Sequence, residues 1–200
     1  MFKACFTLFT LLDGDWITVI KEIMSLNLDI PQIQLVLGGA ASGKSHFAEN
    51  LVIQTGRPRR YIATAEAWDD EMKTKIAAHK VQRGPDWITC EEPLDMISAI
   101  GASEPNEIIL LDCVTMWLTN LMLAKLNIDQ QSKAFINTLK KSPCPIILVS
   151  NEVGHGIVPD NPMSRKFVKY QGAINQSLAD VAAQVFFITA GIPQCLKRPT

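Results

Sequence analysis

The feature that most restricts the fold of this chain is Gly38-Gly39-Ala40-Ala41-Ser42-Gly43-Lys44-Ser45, a full GxxxxGK[ST] run. It sits between an apolar stretch, residues 34–37, and an amphipathic one, residues 46–53. Glycines at these places let successive backbone N–H groups wrap a phosphate without side chains intruding, and the following helix adds partial positive charge at its N-terminus. Lys44 then meets the β- and γ-phosphates of a nucleotide, and Ser45 faces its magnesium. A glycine-rich turn with an incidental Lys-Ser is the bland alternative, and the flanking strand and helix patterns argue against it.

The rest of the chain alternates short β-rich runs with helical stretches, the signature of an α/β, mainly parallel sheet with helices on both faces. Strands are predicted at residues 33–37, 60–63, 87–90, 108–111, 146–150 and 185–189, the last of them closing the sheet. Helices are predicted at 43–55, 69–82, 115–126, 130–140 and 162–183, with one more beginning at Pro93, whose missing N–H is harmless in a first turn. Residues 1–32 read as an N-terminal extension, either a packed helix or a start codon placed too early with Met24 as the true first residue. Residues 33–200 read as a single P-loop domain, and a chain of 200 residues is long enough to bury about 70% of its unfolded surface.

Composition narrows the partners. The chain is 48% hydrophobic and 20% charged with a formal net charge of -1, so it lacks the basic bias of a general nucleic-acid binder. Cys5, Cys90, Cys113, Cys144 and Cys195 are scattered and never spaced as CxxC, which favours neither a disulfide framework nor a zinc cluster and fits a reducing, cytoplasmic setting. The apolar run at residues 4–12 is followed by Asp13 and Asp15 without a small-x-small cleavage site, so it does not read as a signal peptide. It also falls well short of the roughly 20 apolar residues of a membrane span.

Other residues carry chemistry beside the loop. Asp112 ends the apolar run at 108–111, the place of an acid in the magnesium shell; a strand-terminal Asp also caps a helix, here one starting near Thr115, and the two roles are compatible. Lys75, His79 and Arg83 recur every four residues and so share one helix face. Cations beside the histidine attract polyphosphate and disfavour protonation of the imidazole, leaving a neutral nitrogen able to attack phosphorus. A solvated basic face with an incidental histidine has the same spacing. Asp69, Asp70 and Glu71 suit the N-terminus of that helix. His46 reads as a surface residue, and Trp68, Trp87 and Trp117 read as core. His155 lies in the loop 151–159 after a strand, either a ligand loop or a tight turn.

Taken together, these segments resemble the bifunctional adenosylcobinamide kinase / adenosylcobinamide-phosphate guanylyltransferase family over residues 33–197. The likeness is carried by the P-loop, Tyr61-Ile62-Ala63-Thr64-Ala65, Asp69-Asp70-Glu71-Met72 with Ile76 and His79, Trp87 with Glu91, and Leu111-Asp112-Cys113 with Trp117-Leu118-Thr119-Asn120. Asn151-Glu152-Val153-Gly154, Gly156-Ile157-Val158-Pro159, Arg165, Phe167, Gly172, Asn175 and Gln176 extend it. The resemblance implies a RecA-like P-loop fold and two reactions: phosphorylation of the aminopropanol hydroxyl of adenosylcobinamide, then transfer of GMP from GTP to that phosphate, giving adenosylcobinamide-GDP. It makes Lys44 and His79 catalytic, with His79 guanylylated as an intermediate. It places nucleotide contacts at Gly38, Gly39, Ala40, Ala41, Ser42, Gly43, Lys44, Ser45, Ala63, Thr64, Ala65, Lys80, Val81, Gln82, Arg83, Glu91 and Asp112. It further implies that Mg²⁺ arrives with GTP or ATP through Ser45 and Asp112, and that the protein is a homo-oligomer.

Two departures stand out. The family commonly carries Arg where this chain has Ala41, which predicts weaker nucleotide affinity, and it tends to Arg-Asp where this chain has Val168-Lys169. The rival readings are a P-loop kinase of another small alcohol, with His79 only electrostatic, and a GTP-binding regulatory module that turns nucleotide over slowly.

Overall fold

The computed structural model describes residues 30–66, 70, 74 and 84–199, and the structural statements that follow concern these. They form a seven-stranded sheet from β1 (Ile33–Gly38), β2 (Arg59–Ala63), β3 (Trp87–Glu91), β4 (Ile108–Asp112), β5 (Ile146–Asn151), β6 (Gln184–Thr189) and β7 (Ile192–Lys197). The order across the sheet is β3-β2-β4-β5-β1-β6-β7. β1 to β6 run parallel, and β7 pairs antiparallel with β6.

The central strands are apolar almost throughout because both of their faces are covered, as parallel strands require. Alternate residues Leu35, Leu37, Ile109, Leu111, Ile146 and Leu148 join one core cluster with side chains of α3 (Val114–Leu123), α4 (Ile128–Lys140) and α5 (Pro162–Val181). Val36, Leu110, Ile147 and Val149, one residue out of step, are buried as well, and α1 (Lys44–Gln54) lies against β1, β4 and β5 through buried Ala48 and Val52. Among the described residues no helix is long and apolar enough to cross a membrane.

Several predicted boundaries move for identifiable reasons. Pro93 lies before α2 (Met96–Gly101), which starts where Asp95 caps it by accepting from the Ser98 N–H. α3 stops at Leu123 because Lys125 turns to φ 56°, and α4 begins at Ile128 because Asn127 accepts from the Gln130 N–H. α5 starts as predicted at Pro162, with Asn161 accepting from the Met163 and Ser164 N–H groups. The sheet does not close at residue 189: Ala190 and Gly191, both at positive φ, turn the chain into β7. The predicted helix at 69–82 falls mostly outside the described residues.

Away from the loop ends, one buried ion pair ties β2 to the start of β4. Arg60 Nε and Nη2 donate to Glu107 Oε2 and Oε1 at 2.8 and 3.0 Å, and the Glu104 N–H also donates to Oε2. The guanidinium holds the Glu107 carboxyl below the usual carboxylate range. A depressed carboxyl pKa stabilises the fold above the unfolded value, near 4.3, and that contribution is lost as pH falls through the folded value. Glu107→Ala, which leaves the half-buried Arg60 without its partner, is therefore expected to cost about 2 kcal/mol at pH 7 by urea titration. The deficit relative to wild type shrinks below pH 4; an equal urea midpoint at pH 7 contradicts this reading.

Candidate nucleotide site at the carboxyl ends of the strands

Parallel strands carry their loops to one edge, so the carboxyl ends of β1, β5, β4 and β2 form a single crest. The P-loop joins β1 to α1 there. Gly38 has no room for a side chain: a Cβ would lie 2.5 Å from the Ile188 carbonyl oxygen and 2.7 Å from Ser42 Oγ. Gly43 caps α1 at φ 96°, and a Cβ on it would press within 3.2 Å of Gly191 Cα. No side chain caps this helix, so its first N–H groups face the loop interior. Ser42 Oγ is also buried with no protein partner. Ala41 is exposed at φ 55°.

Lys44 is only 7% exposed, and its Nζ donates to the Gly39 carbonyl. Burial lowers its pKa from the ordinary lysine value, with Cys113 and Asp112 opposing the shift. The ammonium is thus held inside the loop, within electrostatic reach of Asp112. Asp112 ends β4 and accepts from Tyr61 Oη at 3.3 Å. It does not cap the next helix: Cys113 occupies the N-cap of α3, without a side-chain cap bond. Burial pushes the Cys113 thiol up to about 12, so it is no nucleophile at neutral pH. Ser45, half-buried in the first turn of α1, and Asp112 offer hard oxygens. No cluster of three metal-ligating acids, histidines or cysteines occurs among the described residues. That donor set fits Mg²⁺, which takes one or two protein oxygens and completes its shell with phosphate and water.

Beside β4, Thr64 is fully buried and all its polar groups are engaged. Its Oγ1 donates to the Cys113 carbonyl at 2.7 Å and accepts from the Cys113 N–H at 2.9 Å, its N–H donates to the Asp112 carbonyl, and its own carbonyl accepts from Asn120 Nδ2. Thr64 therefore latches the end of β2 to that of β4, and Ala63 and Ala65 flank it at the crest. Glu91 is exposed at the end of β3, four strand positions from β1, or about 19 Å at the usual spacing. His79, Lys80, Val81, Gln82 and Arg83 lie outside the described residues, as do Trp68, Asp69, Glu71 and Lys75. His46 is exposed and pairs with Asn50. His155 is exposed, its ring 6.0 Å from that of Phe187. Trp87 and Trp117 are core residues, as predicted.

Sequence reasoning missed the polar scaffold that sets the end of β5. Ser150 Oγ donates to Asn175 Oδ1, Gln171 Nε2 donates to both, and Asn175 Nδ2 donates to the Asn151 carbonyl. Thr115 Oγ1 accepts from the Asn151 N–H, and the Glu152 N–H donates to the Gly38 carbonyl at 2.9 Å. The available signal was Gln171 and Asn175, two amides four residues apart on the buried side of α5. On the other flank, the Gly191 N–H donates to the Ser42 carbonyl at 2.8 Å, so the unforeseen β6–β7 turn braces the P-loop.

Comparison with known proteins covers nearly all of this architecture. The family model for cobinamide kinase / cobinamide phosphate guanyltransferase matches residues 34–196. The bifunctional adenosylcobalamin biosynthesis protein CobP of Pseudomonas aeruginosa is 43% identical over 166 residues, 82% of this chain and 96% of that protein. CobU of Escherichia coli, of the same description, is 36% identical over 82% of this chain and 98% of its own length. A prototypical ATPase from the type III secretion system of pathogenic bacteria matches in fold alone, with TM-score 0.52 and 12% identity over 83% of this chain and 57% of that one. The family model over residues 34–196 and the match to nearly the full length of these relatives place the chain, with its P-loop crest, in the cobinamide kinase / cobinamide phosphate guanyltransferase family, transferases of adenosylcobalamin biosynthesis.

Proposed function

We propose that this protein phosphorylates adenosylcobinamide and then transfers GMP from GTP to the phosphate it has made, by way of a guanylylated His79. The observation that carries this reading is a P-loop whose buried Lys44 faces Asp112, within a chain that matches the family from residue 34 to 196. Lys44 and the N–H groups of the loop bind the β- and γ-phosphates and hold them against repulsion. Ser45 and Asp112 hold Mg²⁺, which neutralises charge developing on the phosphates. His79, in the segment between β2 and β3, attacks the α-phosphorus; an N–P bond forms, the bond to the bridging oxygen breaks, and pyrophosphate leaves with its electron pair. A phosphate oxygen of adenosylcobinamide phosphate then takes the GMP and frees the imidazole.

Incubating the protein with Mg²⁺, ATP or GTP, and adenosylcobinamide tests the reading directly. Adenosylcobinamide-GDP is the expected product, with one pyrophosphate released for each GMP transferred. Phosphorylation with no GMP transfer would reduce the protein to a kinase of the same alcohol. Tight GTP binding with slow turnover indifferent to adenosylcobinamide would mean a regulatory module instead.

A further inference from the structure

We infer that Glu152 takes the proton from the acceptor hydroxyl in the phosphorylation step, an inference that rests on the function proposed above. The sheet order makes β5 the immediate neighbour of β1, and Asn151 is the register partner of Gly38. Glu152 is thus the first residue beyond the strand that flanks the phosphate loop. Among the carboxylates ending described strands, Asp112 stands two strand positions from β1, about 10 Å, and Glu91 four, whereas Glu152 stands one.

Glu152 is also held in place. Its N–H donates to the Gly38 carbonyl, and its Oε1 accepts from the Gly154 N–H at 2.6 Å. A Cβ at residue 154 would lie 2.8 Å from that oxygen, so the glycine is what lets the carboxylate fold against its own loop. Oε2 has no hydrogen-bond partner among the described residues, and no cation pairs with the group there. A half-buried acid whose backbone is bonded to the phosphate loop, and whose carboxylate is fixed through one oxygen with no hydrogen-bond partner on the other among the described residues, suits a general base. Further along the loop, Ile157 and Val158 are 96% and 77% exposed, an apolar lip suited to a ring-bearing acceptor. Arg165 Nη1 pins this loop through the Pro159 and Asp160 carbonyls.

In the step assigned to it, the hydroxyl oxygen bonds to the γ-phosphorus, the bond from that phosphorus to the β,γ-bridging oxygen breaks, and the nucleoside diphosphate leaves with the electron pair. The hydroxyl proton passes to Glu152 and from there to solvent. Asp112, engaged by Tyr61 and facing Lys44, stays with the phosphates.

Glu152→Gln tests the assignment because the amide oxygen still accepts from Gly154. Two reactions are followed in the full-length protein: phosphorylation of adenosylcobinamide, and labelling by α-phosphate-labelled GTP with transfer to ready-made adenosylcobinamide phosphate. The expected result is a fall of about 100-fold or more in kcat for phosphorylation. KM for nucleotide and the labelling reaction stay close to wild type. Glu152→Asp, which keeps the charge but withdraws it by one methylene, is expected to slow phosphorylation alone; it serves as the test if the Gln variant folds poorly. Undiminished phosphorylation in these variants overturns the proposal, and so does a parallel loss of both reactions, which would make Glu152 a brace for the P-loop. A wild type that performs neither reaction overturns the function itself, a distinct result.

Discussion

Lys44→Ala is expected to weaken GTP binding on the order of 100-fold, through loss of a charged hydrogen bond to phosphate, while leaving the fold at least as stable as wild type. Loss of binding without loss of stability separates a binding residue from a purely structural one. Lys44 is nearly buried and its ammonium pKa is lowered by desolvation. When a cation's folded pKa lies below its unfolded value, the unfolded chain binds more protons in the interval between them, and stability rises with pH across it. Below that interval the charged lysine costs the fold a desolvation penalty, offset only in part by its bond to the Gly39 carbonyl and by Asp112. Bound phosphate supplies the missing compensation, so the cost in the free protein is the condition for affinity in the complex. Isothermal titration with Mg²⁺-GTP and thermal melts of the free protein check the two halves separately. Wild-type affinity in the variant would remove Lys44 from the site, and a lowered melting temperature would refute the buried-charge account.

His79→Ala is expected to abolish covalent labelling by GTP carrying label at the α-phosphate, while phosphorylation of adenosylcobinamide continues. A phosphoramidate is labile in acid and stable in base, so label on denatured wild type with that behaviour identifies a guanylylated histidine. Splitting the displacement in two also requires exchange of labelled pyrophosphate into GTP in the absence of any corrin, and the variant is expected to lose that exchange as well. Label persisting on His79→Ala would move the nucleophile elsewhere. The described cysteine at the crest is a poor substitute, because burial keeps the Cys113 thiol protonated. A folded, GTP-binding wild type that takes no label would leave a plain kinase.

The elements legible beforehand are those whose cause is local. The P-loop run is complete within eight residues, and Gly43 supplies its left-handed helix cap there, whereas the bar to a Cβ at Gly38 comes chiefly from the Ile188 carbonyl of distant β6. β1, β4 and β5 announce themselves as apolar runs because both faces are covered, and α5 starts at an Asn-Pro pair that caps and initiates it within one turn. β7 escaped notice for the converse reason. It is an exposed edge strand carrying Pro193, with neither alternation nor a continuous apolar run, and only its pairing to β6 makes it a strand.

What the sequence by itself determined is the inventory: a phosphate loop, an acid closing β4, a polar-apolar rhythm sufficient for an α/β sheet, and an ordered motif set belonging to one family. Only the tertiary structure decided which of these residues work together. That β5 slides between β1 and β4 brings Glu152 against Gly38 and sets Asp112 two strands away, yet no local preference of these segments encodes the strand order. The hydroxyl of Thr64, within the run that the family resemblance places at the nucleotide, is held by the backbone of Cys113, 49 residues along the chain. Strand order and buried polar pairing are long-range choices, settled by which faces must be covered and which donors must find acceptors once water is excluded.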